Sequence, residues 1–222
     1  PDNHITRDQA LQHLAGLVAA TDVPVNADFE GGFADSAAGV GESVRLAVAT
    51  GVAGLSIEDS TGRADQPLFT LDEAVERLRA ARRAIDTTGG DTLLVGRAEC
   101  FLVGRPDLAE TIARLQAYAN AGADCLYAPG IRTPEQITAV VQAVAPKPVN
   151  LLFSSPGSLD VAAIAALGVR RVSVGGALAR AAWGGFFRAA RLLAGEGRFD
   201  GFADAASGQE LNGLFAGDAT RR

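Results

Sequence analysis

The segment VNADFEGGF, residues 25–33, ends a short apolar run in two carboxylates, Asp28 and Glu30, followed at once by two glycines. The next apolar run, in GLSIEDSTG, ends in Glu58 and Asp59. A third, VGRAEC, carries Arg97 and Glu99, and Asn150 lies in PVNLL. Side chains alternate along an extended chain, so Asn26, Asp28 and Glu30 share one face if the extension continues, as do Ser56 with Glu58 and Arg97 with Glu99. Carboxylates crowded where water is scarce repel one another, and a hard divalent cation relieves that repulsion. Mg²⁺ takes a few carboxylates and keeps room for water and substrate oxygens. This pattern offers Asp28, Glu30, Glu58 and Glu99 to such a cation. Arg97 suits a substrate carboxylate held through two parallel hydrogen bonds, with Glu58 and Glu99 beside it as catalytic candidates and Asn150 as a further substrate contact. Each acid taken singly can equally cap a helix or pair with an arginine. Arg97 can be the ion-pair partner of Glu58 or Glu99, and Asp59 should point away from Glu58 into a structural role. Repetition of the placement over three successive runs favours a site.

Extended and helical patterns alternate around these residues. A helix is expected over 6–20, with Thr6 or Asp8 at its start, then a strand in VPVNAD and a helix over 39–50. GVAGLSIED reads as a strand and TLDEAVERLRAARRAI as an amphipathic helix capped by Thr70 or Asp72. TLLVGRAEC, ADCLYAPG, KPVNLL and VRRVSVGG read as further strands. Helices follow in DLAETIARLQAYANAG, in TPEQITAVVQAV with Thr133 as cap and Pro134 first, in SLDVAAIAALG, and in a long closing run from Ala177 that Gly184 and Gly185 could bend. Strands that alternate with helices pair in parallel through right-handed crossovers. A dinucleotide-binding sheet needs G-x-G-x-x-G after an early strand, and none is present. The fold class expected is therefore α/β, a (β/α)8 TIM barrel, in which polar residues at the C-terminal ends of strands build the active site. Six strands are read where a barrel has eight, so the first one or two are expected to be missing from this chain, which begins at Pro1 and has no methionine. No linker or low-complexity tract divides it, and a single barrel domain over 1–222 is expected, with a C-terminal helical segment over 177–222.

Composition narrows the function. The 222 residues are 48% hydrophobic and 21% charged, with a net charge of -6, which disfavours a nucleic-acid partner. No apolar stretch reaches the length of a membrane span. Cys100 and Cys125 have no ligand spacing, and their isolation suits a reducing, cytoplasmic setting. His4 and His13 both lie early, and no Ser-His-Asp set or His-Cys cluster can be assembled. SVGG, residues 173–176, could cradle an anion at a helix start or serve only close packing.

The segments PVNADFEGGF, GVAGLSIEDS, VGRAECFLVGRPDLAETIARLQAYANAGADCLYAPGI, PVNLL and LGVRRVSVGGALARAA, in this order, resemble the isocitrate lyase/phosphoenolpyruvate mutase superfamily. The resemblance implies a barrel whose last helix is swapped between subunits in a homodimer or homotetramer, a bound Mg²⁺, and a small 2-oxo or 2-hydroxy carboxylate as substrate. It implies cleavage of a C–C bond through an enolate-like intermediate, or of a P–C bond in phosphoenolpyruvate/phosphonopyruvate mutases and hydrolases. Binding of a 2-oxo acid without catalysis is a third outcome. Asp28 matches the principal metal-binding aspartate, Glu30 and Glu58 match acids around the metal, and Arg97 matches the arginine that grips the substrate carboxylate. Glu99 matches an acid of the phosphonate-acting branch. The isocitrate- and methylisocitrate-cleaving members carry a Lys-Lys-Cys-Gly-His loop after their IED motif, whereas this loop reads STGRADQPLF. The mutase has Lys and Asn near the places of Ala64 and Gln66. Only Arg63 and Asp65 remain as charged groups to reach the site from this loop.

Overall fold

A computed structural model describes residues 5–219. Six strands follow one another: β1 (Asn26–Asp28), β2 (Gly54–Glu58), β3 (Leu93–Arg97), β4 (Cys125–Tyr127), β5 (Val149–Leu152) and β6 (Arg171–Ser173). Helix α1 (Arg7–Ala20) precedes β1. Helices α2 (Ala37–Ala49), α3 (Leu71–Thr88), α4 (Leu108–Asn120), α5 (Pro134–Val144) and α6 (Val161–Ala166) are the crossovers. The strands form one parallel sheet in the order β1-β2-β3-β4-β5-β6. A strictly sequential parallel order with a helix between successive strands is the topology of a partial (β/α)8 barrel, and a doubly wound sheet would reverse its order part-way.

The helix starts are written in the sequence. Thr6, Thr70 and Thr133 each accept from the backbone three residues on, and Gln9, Glu73 and Gln136 bond back to the cap, giving three reciprocal capping boxes. Thr6 and Thr70 therefore take the places for which Asp8 and Asp72 competed. Ser36, Asp107 and Asp160 cap α2, α4 and α6 in the simpler way. The core lies between sheet and helices: Leu55, Leu94, Leu126 and Leu151 from four adjacent strands are fully buried, as are Val40, Val44, Ala81, Ile85, Leu115 and Ile137 from the helices. Burying each large aliphatic side chain contributes about 1.5–3 kcal/mol. Gly96 allows a close approach of helix to strand, because a Cβ there would lie 2.9 Å from the Tyr118 Cβ and 3.1 Å from the Ala123 Cβ.

The chain divides into two compact units, Pro1–Ser173 and Val174–Arg222. The second contains α7 (Ala177–Glu196), which continues through Gly184 and Gly185, a single 3-10 turn (Asp200–Phe202) and α8 (Gly208–Ala219). Trp183, Phe186 and Phe187 of α7 form a cluster of rings with centroids 5.4–5.8 Å apart. The sequence pattern ends at α7 and did not resolve α8 as a separate helix.

Candidate active site

The parallel register sets the site. Cα pairing aligns Glu58 with Arg97, Arg97 with Tyr127, and Tyr127 with Asn150, so one row runs through the last residues of β2, β3 and β4 to the second residue of β5. In the adjoining strand, Asp28 pairs with Ser56, two residues before Glu58. Arg97 is the hub of the row. Its Nη1 lies 2.9 Å from Asp28 Oδ2 and 3.1 Å from Glu58 Oε2, its Nε donates to Glu99 Oε1 at 2.5 Å, and its Cζ lies 5.2 Å from the centre of the Tyr127 ring. The side chains of Arg97, Glu58 and Glu99 are 13%, 10% and 6% exposed, while that of Asp28 is 60% exposed. The cluster thus has a buried floor and an open acidic rim, within a cleft of about 1100 Å³.

Charge is unbalanced in this cluster. Burial pushes the Glu58 carboxyl up to about 8; Arg97 opposes the shift, and Glu99, Glu30 and Asp28 add to it. Glu99 is also raised, by burial first, against the pull of Arg97. For Arg97 burial works against the charge, yet Glu58, Glu99 and Asp28 outweigh it and keep the guanidinium firmly protonated. Glu58 Oε2 is buried and, among the described residues, receives no hydrogen bond, although Arg97 Nη1 is close enough for an ion pair. The contact is an ion pair without a hydrogen bond, and a buried oxygen lone pair is left for another partner.

Asp28, Glu58, Arg97 and Glu99 are brought together. Glu30 borders the same cleft, but not by continuing β1. The strand stops at Asp28, and Glu30 turns into the left-handed region at φ 49, with its N–H 3.4 Å from Asp28 Oδ1. Asn150 does not line this cleft; it is 1% exposed, its Nδ2 donates to Ser173 Oγ at 3.0 Å, and among the described residues its Oδ1 has no hydrogen-bond partner. Among the described residues, no three His, Cys, Asp or Glu side chains converge as a ready-made metal cage. The donors nonetheless suit a hard cation: all are carboxylate oxygens, they outnumber the adjacent guanidinium, and one is buried and unbonded.

Asp59 faces away from the cleft and is 1% exposed. Its Oδ1 accepts from Glu99 N at 2.8 Å, and its Oδ2 from Arg114 Nη1 at 3.1 Å and from the Tyr118 hydroxyl at 2.5 Å. Arg114 also donates to the Phe69 carbonyl at 3.1 Å. Burial, then the nearby Asp59 charge, holds the Tyr118 phenol well above its ordinary value. The loop Ser60–Phe69 is closed on itself: Ser60 and Leu68 form an antiparallel bridge, Thr61 N donates to Pro67 O, and the Thr61 hydroxyl bonds Gln66 O. Arg63 and Asp65 are exposed at 58% and 85% and pair with each other at 3.9 Å. Neither lines the cleft; Ser60, Thr61, Gly62 and Phe69 do. His13 is exposed on α1, and His4 falls outside the described residues. The sequence pattern missed Tyr127, the one aromatic residue of β4, and Arg77, which lines the cleft from α3.

Residues 1–194 match the family model of phosphoenolpyruvate phosphomutase. The chain is 33% identical to the 2-methylisocitrate lyase of Escherichia coli K12, over 60% of this chain and 44% of that protein. It is 32% identical to the oxaloacetate decarboxylase of Bradyrhizobium sp. ORS 278, over 63% of this chain and 48% of that protein. The matches thus span about half the length of these relatives. A crystal structure of a candidate lyase/mutase from Burkholderia cenocepacia J2315 superposes with a TM-score of 0.93 at 50% identity, covering 97% of this chain and 78% of that one.

Proposed function

The chain belongs to the phosphoenolpyruvate phosphomutase family, within the isocitrate lyase/phosphoenolpyruvate mutase superfamily, and from that premise we propose that it is a Mg²⁺-dependent lyase or hydrolase. Its reaction is the cleavage of a C–C bond in a small 2-oxo or 2-hydroxy (di)carboxylate. Asp28, Glu30 and Glu58 would hold the metal, whose contribution when bound is to polarise the 2-oxo or 2-hydroxyl oxygen. Arg97 binds the substrate carboxylate; Glu99 fixes the plane of the guanidinium through the Nε bond and Asp28 takes Nη1, leaving Nη2 to the ligand. The buried floor keeps water away from the reacting carbons, which strengthens every charge interaction there. The ordered loop Ser60–Phe69 borders the cleft and is the part that would close over it. The observation that carries this reading is the meeting of Asp28, Glu58 and Glu99 on Arg97 at the ends of three adjacent strands.

A panel of C4 to C6 2-oxo and 2-hydroxy acids, oxaloacetate included, assayed with Mg²⁺ and with a chelator, tests the proposal. Metal-dependent cleavage of one of them is the expected result. Release from phosphonopyruvate alone would move the chain to P–C chemistry, the alternative its family allows. One feature favours a second reading, binding without turnover: the loop Ser60–Phe69 has no cysteine, lysine or histidine to donate a proton. Calorimetric binding of pyruvate or oxalate with no turnover across the whole panel would establish that reading instead.

A further inference from the structure

Arg77 sits on the core-facing side of α3, between Ala74 and Leu78, and is only 4% exposed. Among the described residues no carboxylate lies within ion-pair distance of it, and Asp35 and Glu73 act on its charge only from further away. Instead its guanidinium donates to three backbone carbonyls of the loop after β1: Gly31 O at 2.5 Å, Ala34 O at 2.7 Å and Asp35 O at 3.0 Å. That loop is strained. Glu30 at φ 49 and Phe33 at φ 52 are both left-handed without being glycine, and Gly32 lies between them at φ 84. Such conformations persist only where the surroundings over-determine them. On its other side the guanidinium carbon lies 4.2 Å from the centre of the Phe69 ring, at the foot of the Ser60–Phe69 loop. Phe69 is itself fixed, its N–H bonded to Asp59 O and its carbonyl to Arg114.

We propose that Arg77 is a positioning residue that holds the Glu30–Phe33 turn in its left-handed form and ties it to Phe69, so that the two loops bordering the cleft tighten or loosen together. The carbonyl bonds set where Glu30 stands, and the ring contact makes that position depend on the base of the neighbouring loop. A buried cation with no carboxylate partner is costly unless its hydrogen bonds and an aromatic face compensate, so losing the ring weakens the hold on the carbonyls. The coupling stands on geometry alone; its effect on the metal rests on the function proposed above.

Amide hydrogen exchange of the full chain, followed on peptides covering 29–36 and 60–69, separates the two parts. Phe69→Leu leaves Arg77 and its three carbonyl acceptors in place and removes only the ring. It should raise exchange in 29–36 as well as in 60–69. Arg77→Met should raise exchange in both segments by about tenfold or more, the scale of a lost charge-assisted hydrogen bond, and Arg77→Lys should recover only part of the loss. Titration with Mg²⁺ alone should show weaker uptake by Arg77→Met and by Phe69→Leu than by wild type. If Phe69→Leu loosens 60–69 and leaves 29–36 untouched, the coupling is overturned, and this holds even if Arg77→Met does not fold. If wild type takes up no Mg²⁺, the functional reading fails, and the exchange pattern still decides whether Arg77 ties the loops.

Discussion

Were a metal to bind as proposed, it would have to displace a proton from Glu58. Its carboxyl is pushed to about 8 by burial, so at neutral pH it is mostly neutral. A divalent cation needs the carboxylate, and protons therefore compete with Mg²⁺. Apparent Mg²⁺ affinity should rise as pH increases from 6 and level off above about 8, by up to about tenfold per pH unit. Calorimetric titration across that range checks this, and Glu58→Gln should flatten the profile while weakening binding throughout. Stability of the metal-free protein should run the other way. The folded chain binds this proton more tightly than the unfolded one, whose carboxyl titrates near 4.5. Its contribution is complete below about 4.5 and lost as pH rises to about 8. Asp28→Ala removes the exposed rim carboxylate and should abolish Mg²⁺-dependent binding of pyruvate or oxalate; undiminished calorimetric affinity would remove Asp28 from the metal site. These acids were legible in the sequence because each closes an apolar run at strand spacing. Glu30 was legible as an acid near the strand end, and it does border the cleft, but not as a turn, since left-handed backbone at a glutamate has no composition signal. Tyr127 gave little sign because a tyrosine late in a strand is also an ordinary core residue.

At the scale of elements, two helices carry arginines on faces that should be apolar. Arg77 shares its side of α3 with Ala74, Leu78, Ala81 and Ile85; Arg114 shares its side of α4 with Thr111, Leu115 and Tyr118. That misfit with helical periodicity is the signal by which both could have been found. Arg114 and Asp59 form a buried pair, 8% and 1% exposed, and removing one partner leaves the other uncompensated. Arg114→Met should cost about 3–5 kcal/mol, seen as a large fall in Tm, with Tyr118→Phe costing about 1–2 kcal/mol. Arg114→Met should also free Phe69, so trypsin should cut after Arg63 faster than in wild type. In wild type that site should become slower to cut when substrate analogue and Mg²⁺ are present together; equal cutting with and without them would speak against a closing loop. The order of strands and helices was legible throughout, because capping residues and apolar periods agree. Boundaries shifted where strands proved shorter than their apolar runs, as in β1, where backbone geometry rather than hydrophobicity ends the strand.

The whole chain poses a question of assembly. Leu178, Trp183 and Phe186 of α7 are 75%, 57% and 58% exposed in the single chain, more apolar surface than a lone helix ordinarily shows to water. We expect light scattering to give a dimer or tetramer at micromolar concentration, and deletion from Ala177 onward to give a poorly soluble monomer. A monomeric intact protein would end the idea of a helix exchanged between subunits. Strand order has a separate, kinetic consequence. Because every strand pairs with the next in sequence, the sheet can grow by accretion, one short loop closure at a time. The Arg97–Asp28 bond, by contrast, closes 69 residues and needs β1, β2 and β3 already aligned. It should form after the rate-limiting step. Asp28→Ala should then leave the refolding limb of a denaturant chevron in place and move only the unfolding limb, so that the cluster meant for chemistry contributes nothing to how fast the chain finds its fold.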